Sequence, residues 1–205
     1  MIDRNTLRQT LRAQRNQLSP SVQQHAAREI CRSITNTTWF QTAQELAFYW
    51  SIRGEPDLHI LLESAWKQGK NCYLPVCHPS IPNTLCFVPY RPGQSLVPNQ
   101  YGIPEPAFNP EAIVPIASLD LVFTPLLAFD PQGNRLGSGK GYYDRTFAHL
   151  LHTTPHKPSL VGVAYSFQKV ATLHPQPWDV PLDKAVAFDS DSQHTKVFEF
   201  AFPMA

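Results

Sequence analysis

The sequence predicts one α/β domain over residues 1–205, in three layers, with a mainly parallel, Rossmann-like sheet flanked by helices. Three observations carry that expectation. Residues 45–76 read as strand, helix, strand, the unit that places a helix over two parallel strands. Further β-like apolar runs follow at 119–129, 159–165, 184–188 and 197–202. The chain has no internal repeat or low-complexity segment, and 205 residues suffice for one well-buried domain.

Leu7, Leu11 and Leu18 recur at helical spacing, so residues 2–17 read as an amphipathic helix. Ser19 followed by Pro20 is an N-cap with proline at the first helical position, opening a second helix that runs to about residue 35. The run ELAFYWSI at 45–52 suits a buried strand. A helix over 57–68 stops at Gly69, and residues 70–76 return as a strand. Ten of the 20 prolines lie between Pro75 and Pro115, which leaves room there for short strands such as 84–89 joined by rigid loops. Tyr90, Tyr101 and Phe108 make that segment an ordered one. After the strand at 119–129 comes Asp130 and a glycine-rich turn, and a helix should run from about 141 to 152.

Composition narrows the function. No apolar run approaches the ~18 residues that span a bilayer, and the N-terminus shows no apolar segment of a secretory signal. Cys31, Cys72, Cys77 and Cys86 lack CxxC spacing and read as reduced thiols of a cytoplasmic protein. A zinc reading of Cys72, Cys77 and His78 would put the two thiols on opposite faces of one strand. The eight histidines show no metal spacing. The net charge of +1 conceals an asymmetry: residues 1–35 balance at +4 and the remainder at −3. A small cationic patch of this kind suits a phosphate-bearing small molecule, and it is too little for a nucleic-acid groove.

Residues 133–145, GNRLGSGKGYYDR, hold most of the chemical information. A strand, alternating glycines and a helix bring backbone N–H groups together into an anion cradle. Lys140 adds a mobile positive charge, and Asp144 can face a divalent cation bridging phosphate oxygens. A P-loop fails here at two positions. Asn134 stands where its first glycine belongs, and Gly141 where its Mg²⁺-binding hydroxyl belongs. A dinucleotide fingerprint fails on spacing. A tight turn with no ligand is the plain alternative. Arg4, Arg8, Arg12 and Arg15 fall on one face of the first helix beside the leucine stripe, either as phosphate contacts at the rim of the core or as a solvated basic face.

The run Phe129-Asp130-x-x-Gly133-x-Arg135-Leu136-Gly137-x-Gly139-x-Gly141-Tyr142-Tyr143-Asp144 resembles the hallmark of 5-formyltetrahydrofolate cyclo-ligases, also called methenyltetrahydrofolate synthetases. Weaker motifs extend the resemblance in the same order: Arg4-x-x-Leu7-Arg8, Glu55-Pro56-Asp57, the stretch 101–106 (YGIPEP), 120–125, 162–165 with Gln168, and 178–183. The resemblance implies that Mg·ATP is bound by Arg4, Asn5, Thr6, Leu7 and Arg8 of the first helix. From the glycine loop it adds Arg135, Leu136, Gly137, Ser138, Gly139, Lys140, Gly141, Tyr142 and Tyr143. It implies a folate pocket at Ile52, Glu55, Asp57, Tyr101, Ser138 and Tyr142, with Mg²⁺ at Asp144 and Asp179. Lys140, Tyr142 and Arg135 are the implied catalytic residues. Position 4, usually lysine in the family, is arginine here, which keeps the charge and changes the geometry. Either Glu55 or Asp57 meets the pterin, or either serves as a helix N-terminal acid. Tyr101 either stacks on the ligand or packs its loop, and Asp179 either meets the metal or caps a turn before Pro181.

The implied reaction is ATP-dependent closure of 5-formyltetrahydrofolate, polyglutamylated or not, to 5,10-methenyltetrahydrofolate through a phosphorylated formyl group. It needs no covalent nucleophile, and the protein is expected to act as a monomer. The rival expectations are a sugar-phosphate isomerase or acyl-CoA transferase relative, which has no use for ATP, and a folate- or nucleotide-binding module without turnover.

Overall fold

The computed structural model describes residues 3–152 and 157–200, so residue 2 of the first expected helix and 201–202 of the last expected strand lie outside it. Helix α1 (Arg4–Asn16) begins under Asp3, whose carboxylate accepts from the N–H groups of Asn5 and Thr6. Helix α2 (Pro20–Thr35) begins under Ser19, whose hydroxyl accepts from Val22 N–H at 3.3 Å. A short α3 (Thr38–Thr42), which the sequence reading lacks, is capped by Thr37 and leads into β1 (Glu45–Ala47).

Strand β1 is shorter than the expected 45–52. One more sheet bond forms, from Phe48 N–H to the Tyr73 carbonyl, and the chain then leaves the sheet. It turns through Arg53 and Gly54, which both have positive φ, and enters α4 (His59–Lys67). Next come β2 (Asn71–Cys77) and β3 (Leu85–Pro89). The proline-rich segment folds a small hairpin of β4 (Leu96–Pro98) and β5 (Pro104–Pro106). The run expected as one strand at 119–129 divides into β6 (Leu121–Pro125) and β7 (Ala128–Phe129), and β7 pairs with β8 (Arg135–Leu136). The helix expected to residue 152 is α5 (Tyr142–Phe147), followed by a 3₁₀ turn at Ala148–Leu151. Strands β9 (Ser159–Tyr165), β10 (Lys184–Asp189) and β11 (His194–Glu199) complete the order.

Seven strands form one sheet in the order β11-β10-β9-β6-β1-β2-β3. The strands from β10 to β2 run parallel, and β3 and β11 are antiparallel edges. Both faces are buried. Leu46 and Phe48 join Ile30, Ile34, Leu61 and Leu62 of α2 and α4 in one core. Ala47, Val122 and Leu160 join Phe147, Leu150 and Leu182 in the other. Neighbouring residues of a strand thus serve opposite cores, as a parallel sheet covered on both sides demands. Among the described residues no helix is long and apolar enough to cross a membrane.

From β1 the chain goes to one side for β2 and later returns to the other side for β6. The carboxyl ends of β1 and β6 therefore border a crevice, the place where open α/β sheets take their ligands.

Candidate active site

A cavity of about 330 Å³ opens at those carboxyl ends. Tyr49, Trp50 and Ile52 line it beyond β1, Cys77 at the end of β2, and Leu126 beyond β6. The glycine loop forms the opposite wall with Gly137, Ser138, Lys140, Gly141, Tyr142 and Tyr143.

Buried polar groups fix that loop in place. Asp130 accepts from the N–H groups of Gln132 and Asn134, from the Asn134 side-chain amide, and from Leu173 N–H, which shapes the β7–β8 turn. Gly133 sits in this turn at φ 81°, with the Leu182 carbonyl oxygen 2.8 Å from where a Cβ would stand. Arg135 leaves β8 buried and donates twice to Asp144 Oδ1, at 3.0 and 2.7 Å, and once to the Val180 carbonyl. Asp144 Oδ1 also accepts from Val180 N–H. These bonds join the start of α5 to the segment before β10. Gly139 and Gly141 adopt φ of 102° and 68°, left-handed values that a side chain resists. Helix α5 has six residues, so its dipole adds little. The cationic side chains beside the loop carry the attraction for anions.

Those cations come from α1, which lies across the loop. Arg8 Nε donates to the Gly137 carbonyl at 3.0 Å, and Arg12 Nη2 to that of Ser138 at 3.1 Å. Burial and then the neighbouring charges of Arg4 and Arg12 lower the Arg8 pKa, the signature of like charges crowded together. The apolar face of α1 packs through Leu7 and Leu11 on Ala128 and Leu136, so the side chains of Leu7 and Leu136 belong to the core. Arg4 Nη2 pairs with Asp179 at 2.9 Å, and the Asn5 side chain accepts from Arg8 Nη1. Thr6 faces outward on the first turn.

On the other wall the two candidate acids separate. Asp57 Oδ1 accepts from Ser51 Oγ and from His59 N–H at the start of α4, and it does not line the cavity. Glu55 does line it, with its side chain 15% exposed. Its Oε2 accepts from Ile52 N–H, and its Oε1 lies 3.7 Å from Arg15 Nη1. Burial raises the Glu55 pKa, opposed by Arg15. At the mouth the hydroxyls of Tyr101 and Tyr142 lie 2.9 Å apart, and Lys140 Nζ stands 5.1 Å over the Tyr101 ring. Burial, with the bond to Tyr101, pushes the Tyr142 pKa up and keeps the phenol protonated. Burial raises that of Tyr143 as well.

The structure thus gathers Ile52, Glu55, Tyr101, Arg135, Ser138, Lys140, Tyr142, Tyr143 and Asp144 around one space. Gly139 packs behind it on the Arg8 guanidinium. Asp57, Arg4 and Asp179 stand outside the lining. Sequence reasoning left Arg12 and Arg15 open between phosphate contacts and a solvated basic face, and both line the cavity. It missed Trp50, Asn99 and Glu105. The Asn99 side-chain amide donates to Glu105 Oε2, and Cys77 N–H donates to the same oxygen. The packing of the β4–β5 hairpin against the end of β2 creates this cluster, and no local spacing announces it.

Comparison with known proteins gives the same reading. The family model of 5-formyltetrahydrofolate cyclo-ligases matches residues 1–187. The 5-formyltetrahydrofolate cyclo-ligase of Haemophilus influenzae is 40% identical over 180 residues, spanning 87% of this chain and 94% of that protein. The Escherichia coli K12 enzyme of the same name is 37% identical over 176 residues, 86% of this chain and 95% of that one. The NMR structure of Aquifex aeolicus 5,10-methenyltetrahydrofolate synthetase superposes with a TM-score of 0.78 at 29% identity, covering 98% of this chain and 95% of that one. In fold, in the order of its motifs and across nearly its full length, this chain belongs to the 5-formyltetrahydrofolate cyclo-ligase family.

Proposed function

We propose that this protein uses Mg·ATP to close the formyl group of 5-formyltetrahydrofolate into 5,10-methenyltetrahydrofolate, releasing ADP and phosphate. One observation carries the proposal: the glycine loop, Lys140, Arg12 and Arg15 face the same cavity as Glu55, so a triphosphate and a pterin can share one space.

The chemistry follows from the substrate. An N5-formyl group is an amide, and its oxygen leaves poorly when N10 attacks. The γ-phosphoryl group first passes to the formyl oxygen, breaking the bond to ADP and giving an N5-iminium phosphate. N10 then attacks the same carbon, its proton is lost, and phosphate departs with the formyl oxygen. Lys140 and the arginines offset charge on the transferring group. Tyr142, kept as a neutral phenol, donates a hydrogen bond at the mouth. Arg135 holds Asp144 and so positions the loop. The second step is intramolecular, and orientation supplies much of its rate. Glu55 accepts from the amide-like edge and amino group of the pterin, with Ile52 and Tyr101 against the ring.

Asp144 and Asp179 are hard oxygen donors. Among the described residues neither Asp144 Oδ2 nor Asp179 Oδ1 takes a hydrogen bond, and no group of three or more potential ligands gathers to cage a metal. That donor set fits Mg²⁺ arriving on the nucleotide, which keeps its phosphates and waters and needs one or two carboxylates. When bound there, the ion neutralises phosphate charge.

The test is growth of methenyl absorbance on mixing protein, Mg·ATP and 5-formyltetrahydrofolate. ATP-dependent growth is the expected result. Tight folate binding without growth would leave a binding module, and neither growth nor binding would favour the phosphate-isomerase reading.

A further inference from the structure

Arg15 reaches the cavity from the last turn of α1 and is 3% exposed. Its guanidinium is held on one side only. Nε donates to the Arg53 carbonyl at 3.0 Å. Gly54 packs beneath it, and a Cβ there would stand 3.4 Å from Arg15 Cγ and 3.3 Å from its carbonyl oxygen. Nη1 stands 3.7 Å from Glu55 Oε1, close enough for charge attraction and too far for a hydrogen bond. Nη1 is buried and has no hydrogen-bond partner among the described residues. Leaving such a donor unmatched is unfavourable. The wall therefore holds a fixed, unspent donor beside a carboxylate.

We propose that Arg15 reads the 4-oxo group of the folate pteridine, donating from Nη1 to that oxygen while Glu55 accepts from the adjoining N3–H and 2-amino group. This rests on the folate reading above and adds a specificity-determining residue to it. Along its edge a 2-amino-4-oxo pteridine presents acceptor, donor, donor, and the Arg15–Glu55 pair presents the complement. A 4-amino pteridine turns a donor toward Nη1 and leaves both groups unpaired, the situation that polar sites reject most strongly.

The test compares dissociation constants, without ATP, of 5-formyltetrahydrofolate and its 4-amino counterpart, read from quenching of Trp50, which lines the same cavity. Arg15→Met is expected to weaken the 4-oxo ligand by about tenfold or more, and to weaken the 4-amino ligand far less, so that the preference of the wild type collapses. Arg15→Lys keeps a cation beside Glu55, and should fall between wild type and Met. It also serves if the Met variant does not fold. Equal weakening of both ligands would make Arg15 a structural residue and overturn the proposal, as would an unchanged preference in Arg15→Lys. A wild-type protein with no ATP-dependent turnover would remove the parent reading and this one together. Wild-type turnover with an unaltered preference in the variants would remove Arg15 alone.

Discussion

Lys140 belongs to an exposed loop and its ammonium stands over the Tyr101 ring face, so its charge is available to a phosphate at little cost to folding. Lys140→Ala should lower kcat by about 10²–10³-fold, the usual loss of one charge-stabilising donor. The melting temperature should stay put, as for other surface changes. Glu55 gives a pH signature. In its proposed role it must be ionised to accept from the pterin, and burial raises its pKa, so folate affinity should fall with falling pH nearer neutrality than an ordinary carboxylate allows. Glu55→Gln should bind folate more weakly at neutral pH and lose that inflection in a titration of folate KM. The loop residues were legible because their chemistry is local: glycines, a lysine and an aspartate within one turn. Glu55 and Asp57 could not be told apart two residues apart in sequence. The positive φ at Arg53 and Gly54 separates them, sending one side chain to the cavity and the other to the helix start.

Helix α1 acts as a strap over the glycine loop. Its leucines dock on the β7–β8 hairpin, and Arg8 and Arg12 hold the loop carbonyls of Gly137 and Ser138. Cutting one tie should loosen the proposed nucleotide wall and remove a cation from behind it. Arg8→Ala should raise KM for ATP about tenfold, or about 1.4 kcal/mol, and change KM for folate much less; steady-state kinetics with each substrate varied in turn will show it. Helical spacing revealed the two faces of α1, because an amphipathic helix writes its burial into a period of 3.6 residues. The Ser19–Pro20 start of α2 was equally plain. The hairpin of β4 and β5 was not, since strands of three residues with prolines at their ends leave no alternation to count.

The whole molecule brings the site together by crossing from β2 back past β1 to β6, which opens the crevice at their carboxyl ends. The apolar runs foretold a parallel sheet with two covered faces. Strand order is set by long-range packing and was not written in any one segment. Gly162 illustrates this: within the strand pattern it is one more small residue, yet a Cβ there would lie 2.6 Å from methyls of both Leu126 and Leu182. Gly162→Ala should destabilise the fold by about 1–3 kcal/mol through overpacking, measurable by urea unfolding, while leaving the distances among loop, helix and Glu55 intact in what remains folded.

In the proposed mechanism the formyl oxygen leaves on the γ-phosphate. Turnover of 5-formyltetrahydrofolate labelled with ¹⁸O in the formyl group, followed by mass analysis of the released phosphate, should find one labelled oxygen in each phosphate. Unlabelled phosphate, with the heavy oxygen recovered in water, would mean that ATP and folate never exchange a phosphoryl group there.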